Sequence, residues 1–146
     1  MRDEGRGLEY GLLAANVCAS LVAFARQRGG RVALRPAARL ADDLWPDIIY
    51  LRQGRVEGQD QPMTVPPDLV VDIVPASAAW SEVEAVARRY AAEGVPLVWI
   101  VDPYSQCVHV FGADRENEIY TGLEVVPGDG VLPGWAGTAA SLLQSE

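Results

Sequence analysis

Two aspartates, Asp47 and Asp72, stand where a carboxylate could do chemistry. Asp47 follows Pro46 at the head of one apolar segment, and Asp72 lies inside the next one, the run 69–74. A carboxylate that is buried alone is costly unless it is paired, protonated or bound to a cation. If the two segments form neighbouring strands, the carboxylates can converge. A convergent pair suits a hard cation such as Mg²⁺, which can polarise a phosphoryl oxygen and activate water.

Other interpretations of these acids remain open at the level of the sequence. A Pro-Asp pair opens turns in many proteins, and Asp72 could pair with a buried arginine instead of a metal ion. Glu9 lies beside the first predicted helix and is a weaker third carboxylate, with a solvated acidic residue as the alternative. The residues alone therefore give a metal site as one hypothesis among several.

Other kinds of site lack the residues that they need. The sequence has no glycine-rich phosphate loop, and its single histidine, His109, lies in the alternating segment CVHVF, where we interpret it as structural. Cys18 and Cys107 fall on predicted core elements, and their number and spacing suggest neither a disulfide framework nor a zinc site. This cysteine usage favours a reduced, cytoplasmic protein.

The charge pattern limits the possible partners. The formal net charge is −8, which argues against a protein that coats nucleic acid through charge alone. All 12 basic residues are arginine, so the chain contains no lysine. Several arginines fall between Arg26 and Arg39, where a basic rim could meet phosphate. A solvated edge is the alternative interpretation of that rim.

The elements that must position these residues follow from periodicity. The chain has 146 residues, and we expect a single domain over 1–146. Ser81 and Glu84 form a capping-box pattern, which predicts a helix that ends at Gly94. A polar connection spans 54–67, and Gly29-Gly30 ends the first helix. The predicted helices are one ending before Gly29, one over 81–93 and a short one over 138–144; the predicted strands cover 31–35, 46–52, 68–74, 96–102, 106–112 and 118–122.

This order of elements predicts an α/β fold with a mixed central sheet flanked by helices. The strand over 106–112 alternates, so we expect one of its faces to be exposed. The apolar stretch Leu12–Ala25 is too short to span a bilayer and is interrupted by Asn16 and Ser20. We therefore expect a buried helix and no association with a membrane.

Four segments resemble a known family in the same order along the chain: WPDIIYLRQGR, PDLVVDIVPAS, RRYAAEGVPLVWIVDP and GDGVLPGW. They are similar to the bacterial "putative restriction endonuclease" family of the PD-(D/E)xK nuclease superfamily, from about Glu9 to about Leu143. The resemblance implies a restriction-endonuclease-like core, Mg²⁺ or Mn²⁺ as cofactor, and DNA as a candidate partner. It also implies a homodimer. The exposed face of 106–112 or the segment around Trp135 could supply its surface, and the sequence does not choose between them.

The resemblance also implies roles for particular residues. Asp47 and Asp72 would both bind the divalent cation, with Asp72 in place of the glutamate that most members carry. The lysine of the superfamily would stand at Val74 or, moved to the following helix, at Val86, and the chain has none. Arg89 lies three residues after Val86 and could bring positive charge to the site. A surface arginine is the alternative interpretation of Arg89.

Two functions from different classes follow. The first is a Mg²⁺-dependent endonuclease-like protein that hydrolyses phosphodiester bonds with a degenerate active site. The second is a catalytically inactive nuclease fold that is retained as a binding or assembly module. The missing lysine and the acidic balance of the chain favour the second function, and the paired aspartates favour the first.

Overall fold

A six-stranded mixed sheet lies at the centre of the computed structural model, which describes residues 7–35, 40–41, 43–52 and 65–144. The strands stand in sequence order, and only the third and fourth are parallel, because a helix crosses over between them. The predicted mixed sheet flanked by helices is confirmed. The elements are α1 (Leu8–Arg28), β1 (Arg31–Leu34), β2 (Ile48–Leu51), β3 (Leu69–Ile73), α2 (Trp80–Ala92), β4 (Leu97–Asp102), β5 (Cys107–Phe111), β6 (Glu118–Thr121) and α3 (Ala139–Leu142).

Helices cover both faces of the sheet and create two cores. One core joins α1, α3 and one face of the sheet, and the other joins α2 to the opposite face. Every residue of β2, β4 and β5 is buried, as expected for strands with helices on both sides. The prediction that 106–112 exposes one face was therefore wrong: α2 covers the side of the strand that carries Phe111, where the Arg88 guanidinium lies 5.7 Å from the ring centre.

Helix α1 packs one stripe of side chains against the sheet. Its buried residues recur every four positions, at Leu13, Val17, Leu21 and Ala25. The helix runs beyond the predicted apolar stretch at both ends, to 21 residues with a mean hydropathy of 1.6 over its most apolar window. By length and composition alone it could cross a membrane, but the buried stripe is also what a core helix of a globular domain presents.

Glycine sets the turn between α1 and β1. Gly29 and Gly30 have φ angles of 85° and 102°, which confirms their predicted role at the end of the helix. A Cβ on Gly30 would lie 2.6 Å from the carbonyl oxygen of Leu51, so the close approach of β1 and β2 requires glycine. After this turn, β1 forms the edge strand of the sheet next to β2.

The capping box predicted at Ser81 and Glu84 was wrong. Helix α2 begins one residue earlier, at Trp80, and its N-cap, Ala79, offers no side-chain hydrogen bond. Gly94, with a φ of 96°, follows the helix end as predicted. Most of the polar connection 54–67 and part of the basic rim, at 36–39, lie outside the described residues.

Candidate active site

The register of β2 and β3 brings the two aspartates together. These strands are antiparallel, with Ile48 opposite Val71, so Asp47 and Asp72 occupy the next opposed position at the end of the ladder. Opposed residues of antiparallel strands point to the same face of the sheet. The backbone N–H of Asp47 donates to Oδ1 of Asp72 at 2.9 Å, and the N–H of Ile73 donates to Oδ2 of Asp47 at 2.8 Å. Each carboxylate is thus held by the backbone of the other strand.

Two side chains complete the contacts of this pair. The Tyr90 hydroxyl, on α2, donates to Oδ2 of Asp72 at 2.9 Å. Nη1 of Arg35, just after β1, lies 3.3 Å from Oδ1 of Asp47. Among the described residues, the partners of Asp72 are therefore a backbone amide and a phenol, and the guanidinium contacts the other aspartate. The alternative in which Asp72 pairs directly with an arginine does not describe this site.

The surroundings shift the acidity of Asp72. Burial, followed by the negative charge of Asp47, raises the pKa of Asp72 to about 7. The hydrogen bonds from Asp47 and Tyr90 and the charge of Arg35 act in the opposite direction and do not cancel this effect. Burial and the charge of Asp72 also raise the pKa of the Tyr90 phenol, so it stays protonated and donates. Near neutral pH, Asp72 therefore changes charge readily in response to a nearby cation.

A cavity of about 260 Å³ opens in front of the pair. Acidic residues outnumber basic ones among its described lining: Asp43, Asp47, Asp72 and Glu82 against Arg35. Such an excess of negative charge attracts cations and repels the phosphates of nucleic acid. The remaining described lining residues are Trp45, Ile73, Val74, Pro75, Ala78, Val83, Val86, Tyr90 and Ile100.

The residues of this pair fit a hard divalent cation. All four oxygens of Asp47 and Asp72 accept a single hydrogen bond in the contacts given above, and a carboxylate oxygen has a second lone pair to offer. The donors are oxygens only, which is the set that Mg²⁺ and Mn²⁺ prefer. Burial and then the charge of Asp47 raise the pKa of Asp72, and a bound cation would favour its charged form against both effects.

The structure places the other two predicted site residues away from this pair. Glu9 is exposed in the first turn of α1, the helix on the opposite face of the sheet from Tyr90. Among the described residues, no third Asp, Glu, His or Cys has its ligand atom within 4.8 Å of both carboxylates. Arg89 binds Asp43 through both terminal nitrogens, at 2.7 Å each, and is half-exposed. It is not among the described residues that line the cavity.

The two positions that the resemblance assigns to a lysine do face the cavity. Val74 and Val86 both line it, and both are apolar. Glu82 and Tyr90 lie one helical turn before and after Val86, so the same face of α2 supplies all three side chains. No pattern in the sequence indicates that Glu82 or Arg35 belongs to the site, because charged residues at such positions are usually solvated.

Comparisons with known proteins agree with this architecture. The model of the Uma2 family, described as "Putative restriction endonuclease", matches residues 5–141. A solved structure from Anabaena variabilis ATCC 29413, described as "a putative nuclease belonging to DUF820", matches with a TM-score of 0.78 and 17% sequence identity. The match covers 94% of this chain and 81% of that chain, and it confirms the predicted restriction-endonuclease-like core. No curated protein sequence matches the chain.

Proposed function

The chain belongs to the Uma2 family, "Putative restriction endonuclease", and from this premise we propose that it is a Mg²⁺-dependent endonuclease-like protein with a degenerate active site. The observation that carries the proposal is the convergence of Asp47 and Asp72 at the mouth of an acidic cavity. A fold alone does not determine function, and this pair supplies the chemistry that the fold leaves unspecified.

Asp47 and Asp72 would hold the cation. When bound, Mg²⁺ or Mn²⁺ supplies Lewis acidity toward a phosphoryl oxygen and makes a water more acidic. Tyr90 orients the Asp72 carboxylate by its hydrogen bond, and the two backbone amides fix the spacing of the acids. The two carboxylates are therefore held in position before the cation binds, which limits the conformational entropy that they lose on binding.

Arg35 is the basic residue that we place in the mechanism, in preference to Arg89. It is one-fifth exposed, lines the cavity and contacts Asp47, so its charge can stabilise a phosphate that approaches the pair. A guanidinium cannot give up a proton to activate water as a lysine can. The substitution of the lysine by valines at 74 and 86 therefore predicts slow hydrolysis.

A plasmid-cleavage assay tests this proposal. Purified wild-type protein with Mn²⁺ or Mg²⁺ should nick DNA slowly, and Asp72→Asn should lower the rate by about 100-fold or more, as loss of a catalytic group does. Asp68→Asn is the matched control, because Asp68 is a buried aspartate on the same stretch that does not line the cavity. It should keep the activity as long as circular dichroism shows it folded. Equal rates for wild type and Asp72→Asn would refute the proposal.

A second candidate is an inactive nuclease fold that binds DNA or another protein. The apolar character of Val74 and Val86 favours it, since both face the cavity where a lysine would act. The variant Val86→Lys separates the candidates, with Arg89→Lys as a control on the exterior of the same helix. A large gain of nicking in Val86→Lys alone indicates an intact metal site that lacks only its lysine. No nicking and no binding of Mn²⁺ by any variant would favour the binding module.

A homodimer and a cytoplasmic location are further parts of the proposal. The strand at the predicted dimer surface, Cys107–Phe111, is buried within the chain, and Trp135 packs against Phe24 and Trp99 with ring centres 5.9 and 5.2 Å apart. A homodimer would thus form through the segment around Trp135, which is partly exposed, or through another surface, and light scattering coupled to gel filtration measures whether one forms. Both cysteines are free thiols, in keeping with the expected cytoplasmic location.

A further inference from the structure

The hairpin of β4 and β5 assembles a second group of candidate ligands, apart from the aspartate pair. Asp102 ends β4 and lies opposite Cys107 at the start of β5, and His109 follows two residues later. Opposed residues share a face of the sheet, and so do residues two apart on a strand. The three side chains therefore converge on the face that α2 covers. Their ligand atoms all lie within 4.8 Å of one another, and all three residues are buried.

From this arrangement we propose that Asp102, Cys107 and His109 form a binding site for Zn²⁺. A thiolate, an imidazole and a carboxylate are the three ligand types that proteins offer to zinc, whereas Mg²⁺ takes oxygens. Sγ of Cys107 lies 3.4 Å from Nε2 of His109. Two ligands at zinc-bonding distances and a tetrahedral angle would be about 3.6 Å apart. A small adjustment of side chains thus suffices to admit the ion, with the fourth position left to water.

The surroundings of His109 are unusual for a histidine that only fills space. The residue is 8% exposed, and its Nδ1 has no hydrogen-bond partner among the described residues. Buried polar atoms are nearly always hydrogen-bonded, but no bond from the described part of the chain holds this ring through Nδ1, and Nε2, beside the Cys107 thiol, is the nitrogen that can bind the ion. The Trp80 ring packs on the imidazole at 4.1 Å between centres and holds its plane in place.

The hairpin turn holds the carboxylate in a fixed orientation. Oδ1 of Asp102 accepts hydrogen bonds from the backbone N–H groups of Tyr104 and Ser105, at 2.9 and 3.2 Å. Gln106 takes a φ of 52°, which is uncommon for a non-glycine residue, and the turn returns Cys107 to a position opposite Asp102. Such hydrogen bonds to a ligating carboxylate orient it toward the ion. Oδ2 accepts neither of these bonds and can face the metal.

The zinc site would stand apart from the aspartate pair on the same face of the sheet. Asp72 pairs with Ile100 on β4, which pairs with His109 on β5. Two strand spacings, about 10 Å, therefore separate the two groups, and they share no ligand. Burial lowers the pKa of His109, which keeps the imidazole neutral, and raises the pKa of Cys107, so the ion must displace the thiol proton. The inference does not depend on the proposed nuclease function.

Metal titration of the full chain tests this site. After treatment with a chelator, the protein is titrated with Zn²⁺ in a calorimeter, and Co²⁺ is used as a spectroscopic probe of thiolate ligation. We expect a thiolate-to-cobalt absorption band in the wild type, and one Zn²⁺ per chain in Asp72→Asn, which lacks the proposed cation site at the aspartate pair. Cys107→Ala should remove the band and weaken Zn²⁺ binding by more than about 100-fold, the upper end for loss of an outer-shell partner. Asp72→Asn should leave the cobalt–thiolate band unchanged.

The second cysteine supplies a control that does not depend on the folding of Cys107→Ala. The chain has only two cysteines, so a cobalt–thiolate band that persists in Cys18→Ala must come from Cys107. Three results would overturn the proposal: no thiolate band in the wild-type protein, loss of the band in Cys18→Ala, or equal Zn²⁺ affinity in wild type and a folded Cys107→Ala.

Discussion

The two ends of the β2–β3 pair both carry an aspartate, and the surroundings of these aspartates differ in kind. At one end, the Asp68 carboxylate accepts a hydrogen bond from the backbone N–H of Arg52 at 2.8 Å, and it lies 3.1 Å from Nε of Arg52. At the other end, Asp72 accepts hydrogen bonds from the backbone N–H of Asp47 and from the Tyr90 hydroxyl, and it lies opposite the carboxylate of Asp47. Asp68 has a cation close by that balances its charge, and Asp72 faces a like charge.

This difference separates an aspartate that maintains the fold from one that is suited to chemistry. Like charges directly opposed on neighbouring strands destabilise a sheet, so a fold selected for stability alone has no use for the pair. A carboxylate with a pKa near 7 and a free lone pair on each oxygen is poised to bind a cation or a proton. The following predictions test whether the two ends differ as this comparison requires.

The largest expected effect is stabilisation by metal at the Asp72 end alone. An ion that binds only the folded protein adds about 2.7 kcal/mol to the free energy of unfolding at a concentration 100 times its dissociation constant. Mn²⁺ should therefore raise the melting temperature of the wild type and of Asp68→Asn, and it should leave Asp72→Asn unchanged. An equal rise in all three proteins would show that the cation binds elsewhere.

Removing the charge of Asp68 should destabilise the protein. Asp68→Asn leaves the Arg52 guanidinium without its acid and weakens a buried charge-assisted hydrogen bond, at a cost of about 1 to 3 kcal/mol. Because Arg52 is half-exposed, water can solvate it, and this keeps the loss below that of a fully buried ion pair. Urea unfolding at pH 8 measures the change. An unchanged free energy of unfolding would contradict the structural role assigned to Asp68.

Replacing aspartate by asparagine at the other end, in Asp72→Asn, should instead stabilise the metal-free protein. Asp72→Asn removes the repulsion with Asp47, and its amide can still accept from the Asp47 N–H and donate to the Tyr90 hydroxyl. In chelator at pH 8 we expect the free energy of unfolding to rise by about 1 kcal/mol or more, since each unit of pKa shift corresponds to about 1.4 kcal/mol. A loss of stability would indicate that the charged form of Asp72 is favoured in the fold.

The pH dependence of stability follows from the raised pKa of Asp72. The folded protein holds this proton up to about pH 7, while the unfolded chain releases it near the ordinary value of 3.8. Between these values the folded state binds more protons, so the stability of the metal-free protein falls as pH rises, by at most about 1.4 kcal/mol per unit. Unfolding curves from pH 4.5 to 8 should show this slope as a difference between wild type and Asp72→Asn. A slope of the opposite sign would contradict the raised pKa.

The sequence predicted the strands that surround this site better than the charged side chains that line it. Unbroken apolar runs and glycine turns located all six strands, and the Pro-Asp and Val-Asp positions pointed to Asp47 and Asp72. The sequence could not show which charged residues turn inward. Arg35 and Glu82 occupy positions where solvated side chains are usual, and only the packing of β1 and α2 around the cavity brings them to it. The group at the β4–β5 hairpin depends on a cross-strand register that spacing alone does not define.

The smallest expected effect concerns Arg89, which the sequence suggested as a substitute for the missing lysine. Its guanidinium binds Asp43 at the surface, and both side chains are exposed to solvent, where such pairs contribute little to stability. Arg89→Ala should therefore leave the urea midpoint unchanged within error. It should also lower any nicking activity far less than Arg35→Ala, because Arg35 lines the cavity and contacts Asp47. A loss of activity in Arg89→Ala that matched that of Asp72→Asn would instead indicate that the Arg89–Asp43 contact opens when DNA binds.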